Sequence, residues 1–136
     1  MVIKLKHYNS ELFQSLKHFF EQSLMTYVQS FKMPYFNIPK ESLTLDIWSV
    51  RLKSGGFQAS HLHPFSWISG VYYSSVPEFK GKEGGLEFGV VKNKVLHSLK
   101  TQSPKNGLLV LFPSYIQQRT VPIHQAKNRV CVAFDT

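Results

Sequence analysis

At 136 residues the chain has the length of one domain, and its 43% hydrophobic and 14% aromatic content excludes a disordered segment. A single cysteine, Cys131, excludes an internal disulfide and a cysteine-built zinc site. Sixteen basic against eight acidic residues give a formal charge of +8, spread along the chain without a dense block. It reads first as solubility and only second as a nucleic-acid or other anionic partner.

Residues 1 to 8 read as a short strand or arm. Lys4, Lys6 and His7 interrupt it, so neither a signal peptide nor a spanning helix is expected, which points to a cytoplasmic protein without a membrane partner. Asn9 and Ser10 are helix caps, and Glu11 suits the first turn. Leu12, Phe13, Leu16, Phe19, Phe20, Leu24, Tyr27, Val28 and Phe31 then recur at helical spacing, predicting one amphipathic helix over about 10–31. Two prolines bracket the breaker Met33–Pro39. Leu43 to Leu52 alternates, with Leu43, Leu45 and Ile47 on one face and Trp48, Val50 and Leu52 on the other, as in a strand covered on both sides.

After the turn at Ser54-Gly55-Gly56 comes the stretch Phe57 to Tyr73. His61 and His63, at i and i+2 in extended chain, point to one face and can close on one metal ion such as iron, zinc, copper or nickel. Taken alone, a His-x-His is more often a turn cap beside a solvated strand residue. Trp67 to Ser75 is a strand rich in aromatic and β-branched residues, and Val76 to Gly85 is a loop by composition. Leu86 to Val91 is a strand. Residues 92–103 are polar and lysine-rich, with at most a short strand over Val95 to Leu99. Gly107 to Phe112, Tyr115 to Val121 and Arg129 to Phe134 complete the set, and Cys131 reads as a small buried hydrophobe. Short strands with Gly and Pro turns mean a sandwich, barrel or jelly roll, the helix buttressing one face.

A jelly roll with His-x-His at a strand end resembles the cupins in part: Gly55, five residues, then His61-x-His63, with Pro104-x-x-Gly107 a loose second motif lacking its trailing histidine. A closer resemblance covers residues 45–136. Trp48-Ser-Val-Arg51-Leu52, Gly56-Phe57-Gln58, His61-x-His63-Pro64, Trp67-Ile-Ser69-Gly70-Val71-Tyr72-Tyr73, Gly85-Leu-Glu-Phe88-Gly89, Gly107 through Phe112-Pro113-Ser114, Thr120-Val-Pro122 and Arg129 through Phe134-Asp135 occur in that order. Together they resemble the iron(II)/2-oxoglutarate oxygenases of the small stand-alone or tetratricopeptide-associated type.

That resemblance implies a mainly β double-stranded β-helix, here one domain over 1–136 with the helix at about 10–31 and the barrel at about 43–136. It implies Fe(II) and 2-oxoglutarate as cofactors, and oxidative decarboxylation of 2-oxoglutarate coupled to hydroxylation of a C–H bond. His61 and His63 match the early ligands. Gln118 stands where the distal ligand histidine belongs, and an amide oxygen is a weak, neutral donor to iron(II). Arg129, eleven residues after Gln118, matches the basic anchor of the 2-oxoglutarate carboxylate, with Tyr73 and Ser69 lining the pocket. Glu87 is a candidate carboxylate near the metal, against its reading as a solvated strand residue, and His124 a distant substitute for the missing imidazole. The expected partner is a small-molecule or protein side-chain substrate, for a monomer or homodimer. Two readings stand beside a dioxygenase left incomplete by Gln118: a non-catalytic jelly-roll binding module, and a cupin-like metalloprotein with another metal.

Overall fold

The computed structural model describes residues 2–4, 10–30, 44–56, 63–125 and 128–136, the first three as backbone alone. The breaker Met33–Pro39 and the first histidine of the pair, His61, lie outside the described residues. The elements are β1 (Val2–Lys4), α1 (Glu11–Ser30), β2 (Asp46–Leu52), β3 (Ile68–Ser75), β4 (Leu86–Lys92), β5 (Val95–Gln102), β6 (Leu109–Pro113), β7 (Gln117–Thr120) and β8 (Arg129–Asp135).

Ser10 starts α1 as expected: its hydroxyl accepts from the Phe13 amide at 3.1 Å, satisfying an amide that has no partner within the helix. The buried stripe is narrower than the apolar pattern suggests. Phe13, Phe20 and Leu24 are buried, whereas Leu12 is 82% exposed. One face of a helix presents only about a 100° arc to a sheet, and Leu12 falls outside it. Phe19, itself partly exposed, reaches the sheet through an edge contact with Tyr72.

All strand pairs are antiparallel. Five strands in the order β1-β2-β8-β3-β6 form one sheet, and three in the order β5-β4-β7 form the other, the arrangement of a jelly roll. Alternation gives the large sheet two apolar faces. Ile47, Val132 and Phe134 meet Phe13 and Phe20 of α1, the Phe20 and Phe134 rings 4.7 Å apart. Val50, Leu52, Tyr73 and Cys131 pack together on the opposite, inner face. The strand covered on both sides is therefore real, and of the adjacent tyrosines Tyr73 points inward while Tyr72 meets the helix.

Gly70 lies opposite Phe134 in the β3–β8 register. A Cβ there would sit 2.3 Å from the Phe134 ring, so only glycine lets that ring lie flat across the sheet. Gly70→Ala is expected to destabilise the fold by about 1–3 kcal/mol through overpacking, read as a lower midpoint in urea at an unchanged slope.

The lysine-rich segment holds more strand than its composition shows. β5 runs to Gln102 and pairs with β4 from Val95↔Lys92 to Gln102↔Leu86, the register shifting by one residue at a bulge between Phe88 and Gly89. Asn93 and Lys94, at φ of 51° and 64°, make the tight hairpin turn that sets that register. Only Leu96 of β5 is buried, so no apolar alternation marks the strand. No helix among the described residues is long and apolar enough to cross a membrane.

Candidate functional site

A cavity of about 150 Å³ opens between the two sheets, with Trp48, His63, Ser69, Gln118, Arg129 and Asp135 contributing its polar and aromatic wall. β8 supplies both ends. Arg129, Cys131, Ala133 and Asp135 share one face by strand alternation, and the aspartate stands six positions after the arginine, roughly 20 Å of chain.

Arg129 is 1% exposed, among the most buried large side chains of the protein. Its Nη2 donates to the Tyr73 hydroxyl at 3.4 Å and its Nη1 faces the Cys131 sulfur at 3.8 Å. The guanidinium carbon lies 4.9 Å from the Tyr73 ring centroid, within cation–π range. Nε has no hydrogen-bond partner, and no carboxylate among the described residues pairs with the charge. Neither neighbour can neutralise it. Burial pushes the Tyr73 phenol up, with Arg129 pulling partly the other way, and burial likewise pushes the Cys131 thiol up. Both stay protonated at neutral pH. A buried, uncompensated guanidinium costs several kcal/mol, a cost that an anion entering the cavity offsets.

The only other buried side-chain atom without a partner among the described residues is Thr120 Oγ1. Thr120 and Gln118 are the two buried residues of β7, two apart and so on one face. Thr120 pairs with Leu86, a wall residue of the cavity, while the neighbouring Gly84 accommodates the Arg129 stem: a Cβ on Gly84 would stand 3.5 Å from Arg129 Cδ. Two unsatisfied polar groups therefore lie toward the same end of the barrel.

Toward the other end of β8, His63 Nδ1 meets Asp135 Oδ2 at 2.8 Å. Ser69 donates to Asp135 Oδ1 at 2.6 Å and lies 2.8 Å from the Ser114 hydroxyl. The His63 backbone amide donates to the Ser114 carbonyl at 3.0 Å, and the Trp48 ring lies 6.2 Å from the His63 ring. Gln118 faces the same cavity, 4% exposed, and its side-chain amide makes no hydrogen bond to another described residue.

Of the residues singled out in sequence, His63, Ser69, Gln118 and Arg129 thus share one cavity wall, and Tyr73 lies against Arg129. His61 lies outside the described residues. Ser69 is in the wall, but its hydroxyl serves Asp135 and not the Arg129 end. Glu87 is neither solvated nor in the cavity: it is buried and takes the Arg119 Nε–H at 2.5 Å. His124 is exposed and its amide donates to the Glu83 carboxylate at 2.6 Å, in a loop remote from the β7 position of Gln118. Asp135 and Thr120 were not anticipated. Strand parity carries the signal for both, since Asp135 shares its face with Arg129 and Thr120 with Gln118.

No group of three His, Cys, Asp or Glu side chains able to hold a metal occurs among the described residues. Of the residues singled out as iron donors, the described ones are one imidazole, His63, and one amide, Gln118; the Asp135 carboxylate in the same wall is taken by His63 and Ser69. That set does not fit tight iron(II) binding, whereas the buried Arg129 fits a carboxylate.

A family model described as "Putative 2OG-Fe(II) oxygenase" matches residues 46–135, from the first residue of β2 to Asp135. Among solved structures, a Pseudomonas putida prolyl-4-hydroxylase is similar at 16% identity with a TM-score of 0.71, the match covering 98% of this chain and 69% of that one. A prolyl 4-hydroxylase from Phytophthora capsici is similar at 16% identity with a TM-score of 0.64, covering 98% of this chain and 46% of that one. At such identities the likeness is one of fold. No curated protein matches the chain.

Proposed function

The chain belongs to the 2OG-Fe(II) oxygenase family, and from that premise we propose that it binds 2-oxoglutarate through Arg129 while Gln118 leaves its iron site one imidazole short. The buried guanidinium, with no carboxylate paired to it among the described residues, is the observation that carries this reading. Arg129 would clamp one carboxylate of the ligand, replacing the missing charge partner with a bidentate, charge-assisted pair. Tyr73, already accepting from Arg129, keeps its own O–H to donate, and Thr120 supplies a second hydroxyl toward the same end.

His61, His63 and Gln118 are the residues that would hold iron. In this family iron(II) supplies the chemistry that couples decarboxylation of 2-oxoglutarate to hydroxylation. With an amide in place of the third imidazole, the natural chain is a degenerate oxygenase, retaining the cosubstrate pocket without appreciable turnover. The loop around 76–85 would choose any second ligand, a small molecule or a protein side chain.

Calorimetric titration of 2-oxoglutarate tests this reading. Saturable one-to-one binding is expected that survives removal of divalent metal with less than about tenfold loss, or 1.4 kcal/mol, because the arginine supplies most of the affinity. Absence of saturable binding with and without manganese(II) would overturn it.

A further inference from the structure

Of the nine large apolar side chains exposed among the described residues, five cluster on the β4–β5 hairpin and the turn after β6: Val90, Val91, Val95, Leu99 and Tyr115. Such clustering, unlike a scatter of single residues, marks a surface that meets something. Phe88, Val90, Leu99, Tyr115 and Ile116 line one open groove of about 560 Å³. A second hollow of about 280 Å³ shares Phe88 and Ile116 with it and adds Val110 and Lys100. Leu99 owes its place to the bulge. Phe88 meets Lys100 and Gly89 meets Ser98, so Leu99 is the extra residue, unpaired in the ladder and 77% exposed. Bulges re-aim side chains, and this one turns a leucine into the groove where water alone would favour a polar residue. The charge around it has one sign. No acidic residue occurs from Phe88 to Phe134, a span that holds seven lysines and arginines. Lys92, Lys94 and Lys100 of the hairpin are exposed, and none has a carboxylate partner among the described residues.

We propose that this groove docks an acidic segment of a partner protein, its apolar side chains against Val90, Leu99 and Tyr115 and its carboxylates toward Lys92, Lys94 and Lys100. Charge complementarity selects that occupant. A second copy of this chain would set lysines against lysines. A bilayer is flat where the groove is concave, and the hairpin would enter it through the charged turn Lys92-Asn93-Lys94. Nucleic-acid bases need aromatic faces to stack on. Of the two rings in the groove, Phe88 already packs edge-on to Phe112 at 4.9 Å, which leaves Tyr115 alone among aliphatic side chains. The inference does not depend on the cosubstrate reading, because Val90, Lys92, Lys94, Leu99 and Lys100 take no part in the Arg129 cavity.

Selection from a random dodecapeptide phage library on the wild-type chain, followed by fluorescence anisotropy of the labelled consensus peptide, tests the proposal. Enriched peptides should combine aspartate or glutamate with leucine, isoleucine or phenylalanine. Leu99→Ser should weaken the consensus peptide by at least about tenfold. Lys92→Glu with Lys94→Glu should do the same, and the binding that remains should lose its dependence on salt. Both variants should melt with wild type, since the three side chains are exposed. If Leu99→Ser melts lower, the charge reversal carries the test. A library without an acidic, apolar consensus overturns the proposal, as does a consensus peptide that Leu99→Ser binds as tightly as wild type. Labelled oligothymidylate, or vesicles containing phosphatidylserine, bound by wild type and released by Leu99→Ser would also overturn it, assigning the groove to nucleic acid or to lipid.

Discussion

Arg129→Met is expected to abolish 2-oxoglutarate binding and, in the same protein without ligand, to raise the melting temperature. The two effects share one cause. Arg129 is 1% exposed, its Nε lacks a partner, and its strongest contact is a 3.4 Å hydrogen bond to a neutral tyrosine. A site selected for stability alone would not keep such a charge. Methionine follows the arginine stem past Gly84, ending about where Nε stands, and carries no desolvation cost. Replacing a buried charge by a well-packed apolar side chain typically gains 1–4 kcal/mol when the charge is poorly compensated. For a chain of this size each kcal/mol moves the midpoint by roughly 3–6 °C, so scanning calorimetry should resolve the gain. Binding should fall by at least ~2 kcal/mol, or about 30-fold, because the ligand carboxylate loses its buried charge partner. Arg129→Lys should not restore affinity, since an ammonium lacks the planar fork that matches a carboxylate. A variant that melts lower and still binds 2-oxoglutarate would make Arg129 a structural residue.

Gln118→His is expected to work in the opposite direction, raising metal affinity above that of the natural chain. Gln118 is 4% exposed, pairs with Phe88 in the β4–β7 register and faces the cavity with His63. The backbone that carries it is fixed by ladder hydrogen bonds, so an imidazole placed there enters the wall without rearranging the strand. Exchanging a weak neutral oxygen donor for imidazole should tighten cobalt(II) by at least about tenfold, or 1.4 kcal/mol. Trp48 provides the signal. Its ring lies 6.2 Å from His63, so a paramagnetic ion held at the site should quench its fluorescence. The melting temperature should move little, because no buried contact is lost.

Much of the barrel can be read from the chain because its strands are apolar on at least one face. Alternation in Asp46–Leu52 assigns both faces of that strand, whereas for the adjacent tyrosines of Ile68–Ser75 it is the packing that puts Tyr73 inward and Tyr72 against the helix. β5 is legible only as a short strand over Val95 to Leu99, because Leu96 alone is buried, and its run to Gln102 comes from pairing with β4. The helix reads correctly in place and length, but periodicity overstates its buried arc by including Leu12. At the site, residue type and order single out Arg129, His63 and Gln118, which the fold brings to one cavity wall. Long-range partners are another matter. The pairing of Glu87 with Arg119 and of His63 with Asp135, 72 residues apart in sequence, depends on strand register that no local pattern encodes. The lack of a carboxylate partner for Arg129 among the described residues is likewise a property of the folded packing.

Succinate formed from 2-oxoglutarate in air, with iron(II) and ascorbate as reductant, measured for wild type and Gln118→His side by side, tests most directly whether the chain keeps a cosubstrate pocket beside an incomplete metal site. Wild type should stay at the level of protein-free buffer while the variant rises clearly above it. Succinate formation by wild type at a rate equal to or above that of Gln118→His would contradict this account.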